Sequence, residues 1–328
     1  MKGLKGKRLR FHLYRTNPTV IRKLYYCPFY NHSHLCQFQC RQEMELMPLV
    51  CRVFPREPVE YPKVIEVTLE LSCIAAAKLF LEHPQRFYFE DGEEIQSIWT
   101  MENEDDDFYQ CLCDDLDNLL DYLWKPPIPL YIQWQVMYQY IFKEHHLIVR
   151  NRLYEAKEVQ LNEFYDSYPK EAGYAFYPVR VIDRIILEHI DYGALFVREP
   201  KLYRLIKQYL KEFSKKDVQT SDAYYHAQIE DMLLHCSDYE LKYRAYFSYN
   251  MQQLYHKAFE SYFILRQFLF AVLYTQLLML FDLMDYSLTG QSASMDRQAQ
   301  ILMLLEQGVR HNPTLTENIL MVLREEFL

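Results

Sequence analysis

The sequence predicts an α+β protein: a small mixed N-terminal part followed by a predominantly α-helical C-terminal domain. Three observations predict it. Pro18, Pro28, Pro48, Pro55, Pro58 and Pro62 punctuate the first 67 residues. Each removes a backbone donor and fixes φ, which excludes long helices there. From Leu130 onward, apolar residues recur at the helical period. Glycine is scarce, 7 in 328 residues, which argues against an all-β chain built on tight turns. The chain is 50% hydrophobic and 16% aromatic, enough for a sizeable core and too much for disorder over the whole length.

Within 1–67, Leu9 to Tyr14 alternates apolar and polar, and Lys63 to Val67 is β-branched, so both read as strands. Leu69 to Leu81 reads as a helix stopped at Pro84, and Phe87 to Phe89 as a short strand before the Asp91-Gly92 turn. The segment Lys125-Pro126-Pro127-Ile128-Pro129 cannot continue a helix. It sets the expected boundary between a mixed domain, 1–125, and a helical domain, 130–328. Lys201 to Phe213 is the clearest helix. Leu202, Leu205, Ile206, Tyr209, Leu210 and Phe213 fall on one face, and Pro200 suits the first turn. A long helical stretch runs from an N-cap at Ser221 to about Tyr286, with a break at Ser237-Asp238. Leu288 to Ser294 is a loop. Asp296 to Gln307 is a helix stopped by Gly308, and Thr314 with Glu317 forms a capping box for the last helix. That last helix ends the chain on an apolar period, which expects docking on its own core or on a second subunit.

Charge is segregated along the chain. Residues 1–42 hold nine cations, among them Lys2, Lys5, Lys7, Arg8 and Arg10, and no acid. Residues 90–121 hold thirteen acids and no Lys or Arg. A basic arm of this kind suits phosphates or an acidic partner, and the acidic run is a second candidate to cover it. No apolar run of signal-peptide length follows the basic start. The longest uncharged apolar stretch, Gln267 to Phe281, is shorter than the ~20 residues a membrane span needs. The expectation is therefore a cytoplasmic chain with reduced thiols and no membrane span.

The metal candidate is the run holding Cys27, His32, His34, Cys36 and Cys40. Thiolate and imidazole suit tetrahedral zinc, though the spacing is not a paired C-x-x-C pattern. If 36–40 is helical, Cys36 and Cys40 share a face. Cys111 and Cys113 diverge on a helix and read as structural. His226 with Glu230 and Asp231 with His235 face opposite ways, and no H-E-x-x-H is present. The acidic run Glu104 to Asp107 matches no calcium loop and reads as solvated surface. G-x-S-x-G, G-x-G-x-x-G and the P-loop pattern are absent as well.

The polar face of the 201–213 helix carries Lys201, Arg204, Lys207 and Lys211, continued by Lys215, along one ridge. Such a ridge suits a phosphate backbone, with aromatic rings available to stack on bases. The expected function is a non-enzymatic binding or regulatory protein that engages an acidic partner or a nucleic acid through the basic arm and this ridge, with no cofactor. Two alternatives stand beside it: a zinc-stabilised nucleic-acid-binding module at 27–40, and an enzyme whose site is dispersed along the chain. A deep polar pocket with several shifted titratable groups would favour the enzyme.

Overall fold

A computed structural model describes residues 29, 36–61, 64–87, 92, 103–125, 128–165, 176–189, 200–213 and 218–327. Among these, helix accounts for 75% and strand for 5%. The α+β label is therefore loose, and the described sheet is one two-stranded hairpin. The expected strand at 9–14 lies outside the described residues, as does most of the one at 87–89.

The chain divides into two compact units, 1–53 and 54–328. In the first, the described residues form α1 (Gln37–Cys40), a 3-10 turn (Met44–Leu46) and α2 (Leu49–Val53). Gln42, at φ 59°, turns the chain out of α1, and Pro48 precedes α2.

The larger unit opens with β1 (Arg56–Glu60) antiparallel to β2 (Ile65–Leu69), with Arg56 opposite Leu69 and Glu60 opposite Ile65. Pairing draws 65–69 into the sheet, so the helix expected from Leu69 begins later, as α3 (Ile74–Glu82). α4 (Asn103–Leu123) and α5 (Leu130–Ile148) flank the proline segment 125–129, which lies inside the larger unit. The last carbonyls of α4 need partners, and residues from elsewhere supply them. Gln133 Nε2 donates to Tyr122 O at 2.7 Å and to Leu123 O at 2.9 Å. Arg244 donates to Leu123 O and, at 2.9 Å, to Ile128 O.

After α6 (Leu153–Ala156) and α7 (Val179–His189) comes α8 (Pro200–Phe213), with Pro200 in its first turn as predicted. Leu202, Leu205, Ile206, Tyr209 and Phe213 are buried on its inner face, with Leu210 half-buried. α9 (Val218–His235) begins before Ser221, which is buried inside the helix and does not cap it. The predicted break is present, because α9 ends at His235 and α10 (Tyr239–Leu254) starts after Ser237-Asp238. A second, unpredicted break follows, a 3-10 turn (Tyr255–Glu260) and Tyr262 at φ 58°.

α11 (Ile264–Thr289) is the helix the others pack on. It meets α5, α8, α9, α10 and α12 (Met295–Leu305), and nearly every residue from Ile264 to Asp285 is buried. A helix apolar all round belongs in a core or a membrane. At 26 residues α11 is longer than its uncharged stretch and long enough to cross a bilayer. Its apolar window is 94% buried inside the protein, and no second described helix passes the same test. Gly290, at φ 66°, ends it in the left-handed conformation.

Two expectations near the C-terminus need correction. α12 ends at Leu305 and widens into a π turn, Glu306–Arg310, that contains Gly308. A Cβ at Gly308 would meet Leu202 Cδ2 at 2.7 Å, so the glycine permits the approach of α8 and does not stop a helix. α13 (Pro313–Phe327) starts one residue before Thr314. Its cap is Asn312, whose Oδ1 accepts from Leu315 N–H at 3.2 Å, with Pro313 pre-set for the first turn. α13 packs on α7, where Arg180 and Arg184 pair with Glu325 and Glu326. The terminal helix therefore docks on its own chain.

Candidate functional site

α8 presents the predicted ridge. Lys201, Arg204, Lys207 and Lys211 are all exposed, opposite the buried face. The amphipathic spacing fixes this arrangement, since burying Leu205, Ile206 and Tyr209 turns 204, 207 and 211 outward. Lys201 Nζ donates to Gln300 Oε1 at 2.6 Å. Among the described residues no acid pairs with Arg204, Lys207 or Lys211. The neighbouring Glu212 instead accepts from Gln208 at 3.0 Å and from Tyr224 at 3.2 Å. Three cations thus line about 10 Å of helix, at 1.5 Å per residue. Lys215 lies outside the described residues, as do Lys2, Lys5, Lys7, Arg8 and Arg10.

Of the zinc candidates, Cys27, His32 and His34 also fall outside the described residues. Cys36 and Cys40 are described. Cys36 precedes α1 and Cys40 ends it, one turn apart, with Cys40 N–H donating to Cys36 O at 3.0 Å. Cys36 is half-buried and Cys40 exposed.

The structure also assembles groups that the sequence reading left apart. A cleft of about 310 Å³ lies between α4, α5 and the chain around 157–165, and its lining includes Asp115, Asn118, Tyr140, Glu144, Lys157 and Asn162. At its base two carboxyl groups meet. Asp115 accepts hydrogen bonds from Tyr140 and Tyr255, one on each oxygen, and its charge acts on the neighbouring Glu144. Glu144 is 2% exposed, and its Oε2 has no hydrogen-bond partner. Burial and then the Asp115 charge hold Glu144 well above the ordinary carboxyl range. Burial raises Asp115 too, against the hydrogen bonds that favour its charge. The two phenols stabilise a carboxylate at Asp115, so the shared proton resides on Glu144. Such a pair can donate and accept a proton within one cleft.

A third cluster joins Glu70, Glu306 and His311, whose ligand-type atoms lie within 4.8 Å of one another. Cations of the chain already serve it. Arg310 Nη1 donates to Glu306 Oε2 at 3.1 Å, and His311 Nε2 pairs with Glu70. Tyr246 donates to Glu306 Oε1 at 2.5 Å, and the Arg310 guanidinium lies over the Tyr249 ring at 5.2 Å. The hydrogen bond to Glu70 raises the His311 imidazole above its usual range, against the cost of burial. Guanidinium and imidazolium together balance the two carboxylates.

A signal for the buried acids was present in the sequence. Asp115 falls on the apolar stripe of α4 that includes Phe108, Cys111, Leu112, Leu116 and Leu119, and Glu144 on that of α5 with Met137, Tyr140, Ile141 and Ile148. An acid on an inward stripe marks a buried, paired carboxyl. The partners, 25 to 140 residues away, leave no local spacing to read. Comparison with family models, curated proteins and solved structures finds no match for this chain.

Proposed function

We propose that this chain is a binding protein that engages a polyanion, a nucleic acid or an acidic protein surface, through the α8 ridge, with the basic arm of 1–42 as a separate contact. The observation that carries this reading is the exposure of Arg204, Lys207 and Lys211 on one ridge with no acid paired to them among the described residues. Charges left unpaired in this way are free to exchange counterions for phosphates. Three contacts of this kind give a log–log salt slope of about −2.7 on duplex DNA, roughly a 40-fold loss of affinity between 50 and 200 mM salt. Fluorescence anisotropy with labelled duplex DNA, single-stranded RNA and an acidic peptide tests it. Lys207→Glu with Lys211→Glu should lower affinity at least tenfold and flatten the salt slope. Unchanged binding by the double variant would reject the ridge.

A second reading, an enzyme with a dispersed site, is favoured by the Asp115–Glu144 pair in its polar cleft. The cleft combines a proton donor, a proton acceptor and neutral amide groups, which suits proton transfer on a small polar substrate. Screening of polar small molecules by thermal shift tests this reading. A ligand whose stabilisation disappears in Glu144→Gln supports it. No stabilisation by any compound in the wild-type protein counts against it.

A further inference from the structure

A second cleft, of about 420 Å³, is lined by residues of β1, the 3-10 turn after α10, the start of α11, and the chain from Arg310 into α13. That volume suits a small organic molecule. Most cations in its walls already have an acid. Lys257 pairs with Glu57 at 3.2 Å, Arg310 with Glu306 at 3.1 Å, and His311 with Glu70. Arg266, in the first turn of α11, does not. It is half-buried, and its Nη2 donates to the neutral Ser261 Oγ at 3.0 Å. Among the described residues no acid pairs with it. Gln267 follows it, lines the same cleft and is 5% exposed. Among the described residues no hydrogen bond engages its side-chain amide.

Both groups carry a cost that a ligand would remove. A half-buried charge without a counter-ion and a buried amide without a partner each lose solvation and gain nothing in return. Burial, and then the charge of Arg324, act against the Arg266 cation. The remaining lining has two parts. Leu254, Phe270 and Leu320 supply apolar wall, with the Phe270 ring stacked on Tyr274 at 5.7 Å. Glu260 and Glu317 are exposed, and among the described residues no cation pairs with either.

We propose that this cleft binds an apolar α-amino acid as its zwitterion. The Arg266 guanidinium takes the ligand carboxylate on its planar N–H donors, and the Gln267 amide adds a hydrogen bond. The ligand ammonium is matched by Glu260 and Glu317, and its side chain lies against Phe270, Leu254 and Leu320. A carboxylic acid without the ammonium would leave its charge facing those two acids. An amine without the carboxylate would leave the guanidinium unmatched. A polyphosphate is disfavoured by the three glutamates of the lining. The site shares no residue with the α8 ridge or with the Asp115 cleft, so it stands apart from both readings given above.

Isothermal titration of the full chain tests the site, with L-phenylalanine and L-leucine as probes. Each should bind saturably with a Kd below about 1 mM. 3-Phenylpropionate, which lacks the ammonium, and 2-phenylethylamine, which lacks the carboxylate, should each bind at least tenfold more weakly than phenylalanine. Arg266→Gln should weaken phenylalanine at least tenfold, the loss expected for a charge-assisted hydrogen bond. Glu317→Gln, an exposed position, should weaken phenylalanine and leave 3-phenylpropionate no weaker. Circular dichroism of both variants checks that they fold, and the comparison of the three phenyl compounds needs no variant. The proposal is overturned if neither amino acid binds the wild-type protein up to about 10 mM. Binding of 3-phenylpropionate or 2-phenylethylamine as tight as that of phenylalanine overturns it too, as does unchanged phenylalanine binding by folded Arg266→Gln.

Discussion

The Gln276 side chain pairs with the Tyr177 main chain in both directions, accepting from its N–H at 2.9 Å and donating to its C=O at 2.7 Å. The same Oε1 accepts from Phe176 N–H at 3.2 Å. One amide on the central helix thereby satisfies the buried start of the chain that leads into α7. Gln276→Leu keeps the volume and orphans three buried backbone groups. It should cost about 2–4 kcal/mol in urea unfolding. A cost below about 1 kcal/mol would mean that water reaches these groups.

Asp282 lies on the same helix and is fully buried. Burial raises its carboxyl to about 8, and the hydrogen bond from Tyr243 OH at 3.1 Å only partly opposes this. A folded value above the unfolded one means that the native state holds the proton more tightly. Stability therefore falls as pH rises from about 4, and the loss is complete once pH passes the folded value. Asp282→Asn removes the titration. It should differ little from the parent near pH 4 and exceed it by at least about 1 kcal/mol at pH 8. Parallel stability–pH curves for parent and variant would contradict this.

Arg310 and Glu306 form an ion pair with almost no solvent contact, their side chains 6% and 0% exposed. Arg310→Met leaves the Glu306 charge without its guanidinium and should cost about 3–5 kcal/mol. Adding Glu306→Gln should recover much of that loss. Additive effects of the two changes in chemical denaturation would show that they do not act as a pair.

The Tyr255 hydroxyl donates a hydrogen bond to Asp115 from 140 residues away. Tyr255→Phe should destabilise by about 1.5–3 kcal/mol at neutral pH, the range for a hydrogen bond to a charged acceptor. The cost should shrink in acid, where Asp115 is protonated and no longer depends on two donors. Unfolding midpoints at pH 4 and pH 7 measure the difference.

The elements legible in the sequence are those whose signal is local. Pro200 followed by an unbroken apolar period marked α8, and the polar Ser237-Asp238 pair marked the gap between α9 and α10. The misplaced features depend on partners far along the chain. Leu69 belongs to a strand because Arg56 pairs with it, and Gly308 serves the approach of Leu202. Thr314 and Glu317 satisfied the letters of a capping box, but Asn312 and Pro313, one step earlier, set the helix start. The ridge was readable because a single helix carries it. Asp115 with Glu144 was not, because the pair joins separate elements.

The position of α11 in the chain has a consequence for biosynthesis. The scaffold on which α5, α8, α9 and α10 rest spans 264–289, so it leaves the ribosome after all four. Until it emerges, those helices have only part of the surface on which they bury their inner faces. More than two hundred residues of nascent chain must therefore wait, with their apolar stripes shielded by chaperones or by transient contacts with one another, for a late segment that completes the interior.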